Sequence, residues 1–286
     1  MGNPEVFDDR RCDLGEGPHY DDRTDRMWWV DVFARRILWR DLSSGARGAL
    51  STPAHVSAAV PRRTEGLVAC LPHGTVLIAP DGAITPLADY PPKPEGWPTL
   101  RSNDAKADPR GRLWVGTMAY DETPGAGALY RLEPAWTLVR VVSDVTISNG
   151  LGWSPDRSTM YYVDTPTGRI DAFAYDMAAG VPGERRIFAE VDRGFPDGLC
   201  VDAEGGVWVA LWNGSAVRRY APDGRLDRTV ELPTALVTSC AFAGDGFATL
   251  VITTAAHGRP DDPAAGLTYV YEPGDVVGTP VDRFAG

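Results

Sequence analysis

The stretch FPDGLCVDAEGGVWVAL, residues 195–211, carries the pattern on which the fold prediction rests. An acidic residue beside glycine opens a short apolar run, a DAEGG turn follows, and VWVAL forms a second apolar run. Short β-branched and aromatic runs on either side of a glycine-rich turn are typical of a β-hairpin. The segment is therefore predicted to be two antiparallel strands, with Asp197 at the start of the first.

The same hairpin pattern recurs along the chain. The residue that stands in the place of Asp197, which we call the leading residue, varies among the copies. The six leading residues are Glu16, Ser57, Asn103, Asn149, Asp197 and Ser239. Successive leading residues are 41 to 48 positions apart, close to the roughly 40–50 residues of a four-stranded propeller blade. The repeat predicts an all-β, six-bladed β-propeller that occupies residues 1–286 as a single domain. A β-sandwich is the structural alternative, but it does not predict a regular repeat of this length.

The two ends of the chain are expected to meet in the last blade. Six repeats use nearly all the sequence and leave the first ten or so residues and the segment TYVYEP, 268–273. If these segments share a sheet, the ring closes without exposing a long strand edge.

Composition argues against several classes of partner. The net charge of −11 and pI near 4.8 repel phosphate backbones and anionic lipid. No apolar run has the length of a transmembrane helix, and the first residues lack the apolar core of a signal peptide. We expect a cytoplasmic protein, monomeric or weakly dimeric, that binds neither nucleic acid nor membrane.

The four cysteines are expected to be buried, reduced thiols, because they are scattered and lie mostly in apolar runs. Cys200 and Cys240 occupy similar places in neighbouring repeats and could approach each other.

Three leading residues suggest a metal site. The innermost strands of a propeller line its central channel, so Glu16, Asn149 and Asp197 should converge there. Two carboxylates and an amide oxygen in one channel would be costly to desolvate without a cation, and oxygen ligands favour a hard divalent ion. Ca²⁺ is the first candidate, with Mn²⁺, Mg²⁺, Zn²⁺ or Fe²⁺ possible. The alternative is that Asn and Asp before glycine only form turns.

Other catalytic patterns are absent. The sequence has no GxSxG, HExxH, GxGxxG or P-loop motif, which argues against serine hydrolases, zincins and nucleotide-binding enzymes. One interruption of the repeat, residues 89–100, is rich in proline and contains Trp97. It is either a stiff surface loop or a lid over the channel.

The chain resembles the SMP-30/gluconolactonase/LRE-like family through four motifs. They are LGEGP (14–18), RSNDAKADPRGRLWVGTM (101–118), ISNGLGWSPD (147–156) and FPDGLCVD (195–202). The resemblance implies one catalytic divalent metal held by Glu16, Asn149 and Asp197. It also implies substrate contacts from Arg101, Asn103 and an acidic residue after GTM. Asp121 stands at that last place, with Glu122 as its possible substitute.

These residues lead to a functional hypothesis. A sugar lactone would be hydrolysed to its aldonic acid, with the metal polarising the carbonyl and Asp197 acting as general base on water. Two alternatives remain open: an esterase or organophosphate hydrolase that uses the same site, and a non-enzymatic calcium-binding propeller. A strictosidine-synthase-like propeller is less well supported, because it does not need the Glu-Asn-Asp set.

Overall fold

A computed structural model describes residues 2–286, in which 24 strands form six four-stranded antiparallel sheets. The strands of the first three sheets are β2 Gly15–Asp21, β3 Arg26–Asp31, β4 Arg36–Asp41, β5 Arg47–Ser51; β6 Ala58–Pro61, β7 Leu67–Leu71, β8 Gly74–Ile78, β9 Ile84–Asp89; β10 Leu100–Ala107, β11 Leu113–Ala119, β12 Gly127–Leu132 and β13 Leu138–Val145. Those of the other three are β14 Ser148–Trp153, β15 Thr159–Asp164, β16 Arg169–Asp176, β17 Val181–Glu190; β18 Phe195–Val201, β19 Val207–Trp212, β20 Ala216–Tyr220, β21 Leu226–Glu231; β22 Val237–Ala243, β23 Thr249–Thr254, β24 Thr268–Tyr271 and β1 Glu5–Asp8. Two short 3₁₀ helices span Thr165–Thr167 and Asp245–Phe247.

The sheets are the blades of a six-bladed β-propeller, which confirms the fold predicted from the repeat. In blades one to five the strands follow chain order from the channel outward, as in β2-β3-β4-β5. The sixth blade has the order β22-β23-β24-β1. Its outer strand comes from the N-terminal segment, where Glu5 pairs with Val270. The expected sharing of the last blade by the two ends of the chain is therefore confirmed, and this pairing closes the ring.

The turn of the repeated hairpin pattern is held by a buried aspartate. In blade five, one carboxylate oxygen of Asp202 accepts hydrogen bonds from Trp208 Nε1 at 2.8 Å and Arg219 Nε at 2.7 Å. In blade three, Asp108 accepts from Trp114 Nε1 at 3.1 Å in the same way. Both tryptophans are fully buried. The Asp and Trp of the hairpin pattern are thus structural residues that join turn, strand and core.

The hydrophobic core lies between neighbouring blades. Leu199 and Val209 of blade five, for example, pack with Tyr161 and Ile170 of blade four. Equivalent clusters fill the gaps between the other blades. Because each blade buries both faces, the strands read as continuous apolar runs rather than alternating ones. No helix in the described residues has the length and hydropathy needed to span a bilayer.

The inner strands are irregular where they carry the leading residues. In five blades the pairing between the first and second strands shifts at or beside that position. A bulge places an extra residue in one strand and changes the direction of its side chain. These irregularities occur at Glu16, Asn103, Asn149, Asp197 and Ser239. Polar side chains thereby interrupt otherwise apolar strands at one end of the channel, which we call the mouth.

Candidate functional site

Six of the residues singled out from the sequence line one cavity of about 120 Å³ at the mouth. They are Glu16, Arg101, Asn103, Glu122, Asn149 and Asp197. Apolar side chains, among them Leu14, Met118 and Trp212, complete its wall. A larger groove of about 740 Å³ lies between blades one and two, but none of these side chains lines it. The small polar cavity is therefore the candidate site.

A chain of hydrogen bonds connects the polar residues across three blades. Arg101 Nη1 donates to Asn103 Oδ1 at 2.6 Å, and Asn103 Nδ2 donates to Asn149 Oδ1 at 2.9 Å. Asn149 Nδ2 donates to Thr165 Oγ1, and Thr165 Oγ1 donates to the carbonyl of Pro196, both at 2.8 Å. The chain ends next to Asp197. These bonds fix the orientation of both amides, and Asn149 Oδ1, which accepts one hydrogen bond from Asn103, has a second lone pair for a ligand.

The carboxylates of the site are buried close to one another. Burial is the main cause that raises the pKa of Glu16 to about 8, and the charge of Asp104 adds to it. Burial, followed by the charges of Glu16 and Asp104, raises the pKa of Asp197 well above its ordinary value. Arg101 opposes both shifts. The charge of Lys106 acts on Asp104, so three ionised carboxyl groups would face two cationic side chains, Arg101 and Lys106, and the one negative charge in excess is what a cation would balance.

The donor set fits a divalent cation. Asp197 Oδ1 is buried and has no hydrogen-bond partner, which is costly unless another group satisfies it. Glu16 uses one oxygen to accept from the backbone of Gly17 at 3.1 Å and has the other free for a ligand. In residues 2–286, no group of three or more His, Cys, Asp or Glu side chains lies close enough to hold a metal. A cation here would therefore need a mixed donor set, in which the amide oxygen of Asn149 is the third oxygen beside those of Glu16 and Asp197.

The two acidic residues after GTM differ in position. Asp121 is exposed, and its carboxylate accepts hydrogen bonds from the backbone and hydroxyl of Thr123 at 3.1 and 2.7 Å. It does not line the cavity, whereas Glu122 does. Glu122 has a φ of 57°, a left-handed conformation that turns its side chain away from that of its neighbour. Both side chains are exposed, and Glu122 is the one of the two at the cavity wall.

Several other expectations have structural outcomes. Ser57 and Ser239 lie on the inner ring but do not line the cavity; the Ser57 hydroxyl donates to Ser102 Oγ at 2.8 Å. The proline-rich segment packs beside blade three, where Trp97 lines a separate groove. No residue of 89–100 lines the cavity, although the carbonyl of Thr99 accepts a hydrogen bond from the backbone of Tyr120 at 3.0 Å. All four cysteines are buried and free, and Cys200 and Cys240 have their sulfur atoms 3.6 Å apart.

Three residues near the cavity were not singled out from the sequence. Asp104 follows Asn103 directly, and its place in the inner strand could have indicated its burial. Thr165 lies in the turn after β15, and no pattern in the sequence connects it to Asn149. Tyr120 places its ring 6.0 Å from the guanidinium carbon of Arg101, a contact made by a turn that the repeat does not describe.

Comparisons with known proteins agree with this geometry. Residues 14–256 match the model of the SMP-30/gluconolactonase/LRE-like region. Regucalcin of Danio rerio is 35% identical over 288 residues, which cover 96% of this chain and 95% of that protein. A Bacillus subtilis protein provisionally named sugar lactone lactonase YvrE is 34% identical over 253 residues, which cover 87% of this chain and 86% of that protein.

Solved structures show the same architecture. The calcium-binding protein regucalcin of Agrobacterium tumefaciens superposes with a TM-score of 0.92 at 29% identity, over 100% of this chain and 98% of that one. A Xanthomonas campestris gluconolactonase shares the fold, with a TM-score of 0.76 at 23% identity over 95% of both chains. The match over most of the chain, together with relatives above 30% identity, shows that this protein belongs to the SMP-30/gluconolactonase/LRE-like family.

Proposed function

We propose that this protein is a metal-dependent hydrolase that converts a sugar lactone to its aldonic acid. Membership of a family that includes gluconolactonases supports sugar lactone hydrolysis in general. The observation that carries the metal-dependent form is the unpartnered, buried Oδ1 of Asp197, which lines the same cavity as Glu16, Asn149 and Arg101.

Glu16, Asn149 and Asp197 would hold one divalent cation. Their oxygens are hard ligands, which suits Ca²⁺ first and also Mn²⁺ or Mg²⁺; the relative from Agrobacterium, described as a calcium-binding protein, supports Ca²⁺ as the first candidate. When bound there, the cation supplies Lewis acidity that polarises the lactone carbonyl. Three protein ligands leave room in the cavity for substrate and water.

Asp197 is the proposed general base. A carboxylate with one oxygen free of hydrogen bonds can accept a proton from an attacking water molecule. Burial, followed by the charges of Glu16 and Asp104, raises the pKa of Asp197 well above its ordinary value, and a cation bound beside it would oppose that shift. The backbone of Gly198 and the charge of Arg101 keep the ionised form accessible, because both lower the pKa.

Arg101, Asn103 and Glu122 are proposed to bind the polyol. Arg101 is buried and lacks a carboxylate partner within salt-bridge distance in the described residues. One of its nitrogens, Nη1, donates to the carbonyl of Ser102 and to Asn103 Oδ1, which holds the guanidinium in place. The remaining N–H groups can donate to sugar hydroxyls or to the ring oxygen. Glu122 at the cavity wall can accept from a hydroxyl on the other side.

A substrate panel with the metal-loaded protein tests the reaction class. D-glucono-1,5-lactone, p-nitrophenyl acetate and diethyl p-nitrophenyl phosphate are compared by kcat/KM. We expect turnover of the lactone to exceed that of both other compounds. Preference for the aryl ester or the phosphate triester would replace the lactonase proposal. Tight metal binding with no turnover of any of them would favour a binding protein.

A further inference from the structure

Four rings form a continuous arc around the mouth, and we call this arc the rim. Its members are Phe33, His55, Tyr120 and His257. Phe33 lies 5.4 Å from His257 and 5.2 Å from His55, and His55 lies 5.8 Å from Tyr120, measured between ring centroids. His257 belongs to blade six, Phe33 to blade one, His55 to blade two and Tyr120 to blade three. These blades are adjacent around the channel, although the residues are far apart in sequence.

The topology places all four rings on the face that carries the candidate site. Phe33, Tyr120 and His257 follow second strands of their blades, and His55 precedes the first strand of blade two. In an antiparallel meander, these connections lie at the same end as the start of the inner strands. The leading residues lie at that end as well. The rim therefore surrounds the mouth and not the opposite opening.

The rim continues directly from the proposed polyol site. The ring of Tyr120 lies 6.0 Å from the guanidinium carbon of Arg101, which lines the cavity. The hydroxyl of Tyr120 pairs with His55 Nδ1 at 2.8 Å, so the two rings keep their places without a ligand. The rim is therefore the surface that adjoins a substrate bound at Arg101.

The rim is accessible and has polar edges. Tyr120 is 40% exposed, and the side chain of His257 is 57% exposed. His257 Nδ1 lies 3.4 Å from Asp13 Oδ1. Burial, followed by the charge of the exposed Arg35, lowers the pKa of His55, so Arg35 lies near the rim. Neighbouring rings of the rim are tilted by 46° to 76°, so ring faces and edges alternate with charged and hydrogen-bonding groups. Such a surface suits a hydroxylated ring better than an aliphatic chain, which would leave those groups unpaired.

We propose that the rim is an outer subsite for a second sugar ring, so that the protein accepts disaccharide lactones as well as single-ring ones. This inference rests on the proposed lactonase function. The C–H face of a pyranose carries partial positive charge and packs on the negative faces of aromatic rings. Its hydroxyls would reach Asp13, Arg35 and the free edges of the two histidines. The lactone ring itself would occupy the cavity beside Arg101.

The test compares two substrates in four proteins. D-glucono-1,5-lactone has one ring, and cellobiono-1,5-lactone carries a second glucose. The variants are Phe33→Leu and His257→Ala in the rim, with Trp136→Ala as control. Trp136 is 53% exposed in the turn between β12 and β13, at the opposite face. Tyr120 and His55 are left unchanged because they contact the polyol site.

We expect the wild type to favour the disaccharide lactone by about tenfold in kcat/KM, equivalent to about one good contact. Each rim variant should reduce that preference at least threefold and leave kcat/KM for glucono-1,5-lactone within about twofold of the wild type. Trp136→Ala should change neither the preference nor kcat/KM for glucono-1,5-lactone. An equal loss for both substrates, or a wild type that prefers the single ring, would overturn the subsite.

A binding measurement separates failure of the subsite from failure of the lactonase proposal. Saturation-transfer NMR with cellobiose as the probe needs no turnover. If no lactone is hydrolysed but cellobiose receives saturation in the wild type and loses it in His257→Ala, the reaction is wrong and the sugar subsite stands. Absence of transfer in the wild type would contradict the subsite itself.

Discussion

Asn103 Nδ2 donates a hydrogen bond to Asn149 Oδ1 at 2.9 Å and so joins the inner strands of blades three and four. This bond connects a proposed substrate contact to a proposed metal ligand. Because Asn149 Nδ2 is bonded to Thr165 at 2.8 Å, the amide of Asn149 cannot turn without losing two partners. Metal affinity and substrate binding should therefore depend on each other.

The first prediction follows from this bond. Asn103→Ala removes the partner that orients Asn149, and residues that orient metal ligands typically contribute 10- to 100-fold to affinity. We expect Ca²⁺ to bind at least tenfold more weakly to this variant, as measured by isothermal titration calorimetry of chelator-treated protein. Glu16→Gln should bind Ca²⁺ more weakly than Asn103→Ala does. Ser239→Ala is the matched control, since Ser239 also lies on the inner ring but does not line the cavity. Unchanged affinity in Asn103→Ala would contradict the coupling.

The second prediction concerns the general base. Asp197→Asn keeps an oxygen ligand but cannot accept the proton of water, so kcat should fall by about 10²- to 10⁴-fold. The metal-free variant should unfold at no lower temperature than the wild type, because it no longer buries a carboxyl group whose ionisation is opposed by its surroundings. Steady-state kinetics at measured metal content tests the first part, and calorimetric melting tests the second. Activity within tenfold of the wild type with metal bound would exclude Asp197 as the base.

The third prediction separates the two acidic residues that follow GTM. Glu122→Ala should raise KM several-fold because the side chain lines the cavity. Asp121→Ala should leave KM within about twofold, since the Asp121 carboxylate is exposed and bonded to Thr123. Both variants are tested with glucono-1,5-lactone. The opposite pattern would show that the turn rearranges when substrate binds.

The fourth prediction concerns acid stability. Burial, and to a smaller extent the charge of Lys106, lowers the pKa of His19 from 6.5 to about 4. The unfolded chain therefore binds a proton between these values while the folded protein does not. The contribution of His19 to stability is complete above pH 6.5 and is lost as the pH falls toward 4, by about 3 kcal/mol.

His19→Asn isolates this contribution, because asparagine does not titrate. Urea unfolding at pH 7 and pH 4.5 should show a smaller loss of unfolding free energy in His19→Asn than in the wild type. His73→Asn, at an exposed position, is the control and should lose as much as the wild type. Equal losses in all three proteins would place the titration elsewhere.

The repeat made the architecture predictable, because each blade has the same sequence pattern of strands and turns. The hairpin pattern around Asp197 specifies two strands and a turn, and its spacing fixes the number of blades. The convergence of Glu16, Asn149 and Asp197 at the mouth also followed, since equivalent positions in a propeller must meet at the axis. The blade number and this convergence both follow from the repeat and its topology alone.

Contacts made by turns were not predictable in this way. Nothing in the spacing indicates that Thr165 bonds to Asn149, or that Glu122 rather than Asp121 faces the cavity. These outcomes depend on single backbone angles, such as the φ of 57° at Glu122, which tertiary packing decides. The rim has the same origin, because its rings come from four turns or loops of different length.

The most direct test of the central claim is lactone hydrolysis by chelator-treated protein before and after metal is restored. A pH-indicator assay with D-glucono-1,5-lactone measures acid release above the spontaneous rate. We expect release only after addition of Ca²⁺, Mn²⁺ or another divalent ion, and none from Glu16→Gln under the same conditions. Full activity of the metal-free protein, or no lactone turnover with metal demonstrably bound, would contradict this expectation.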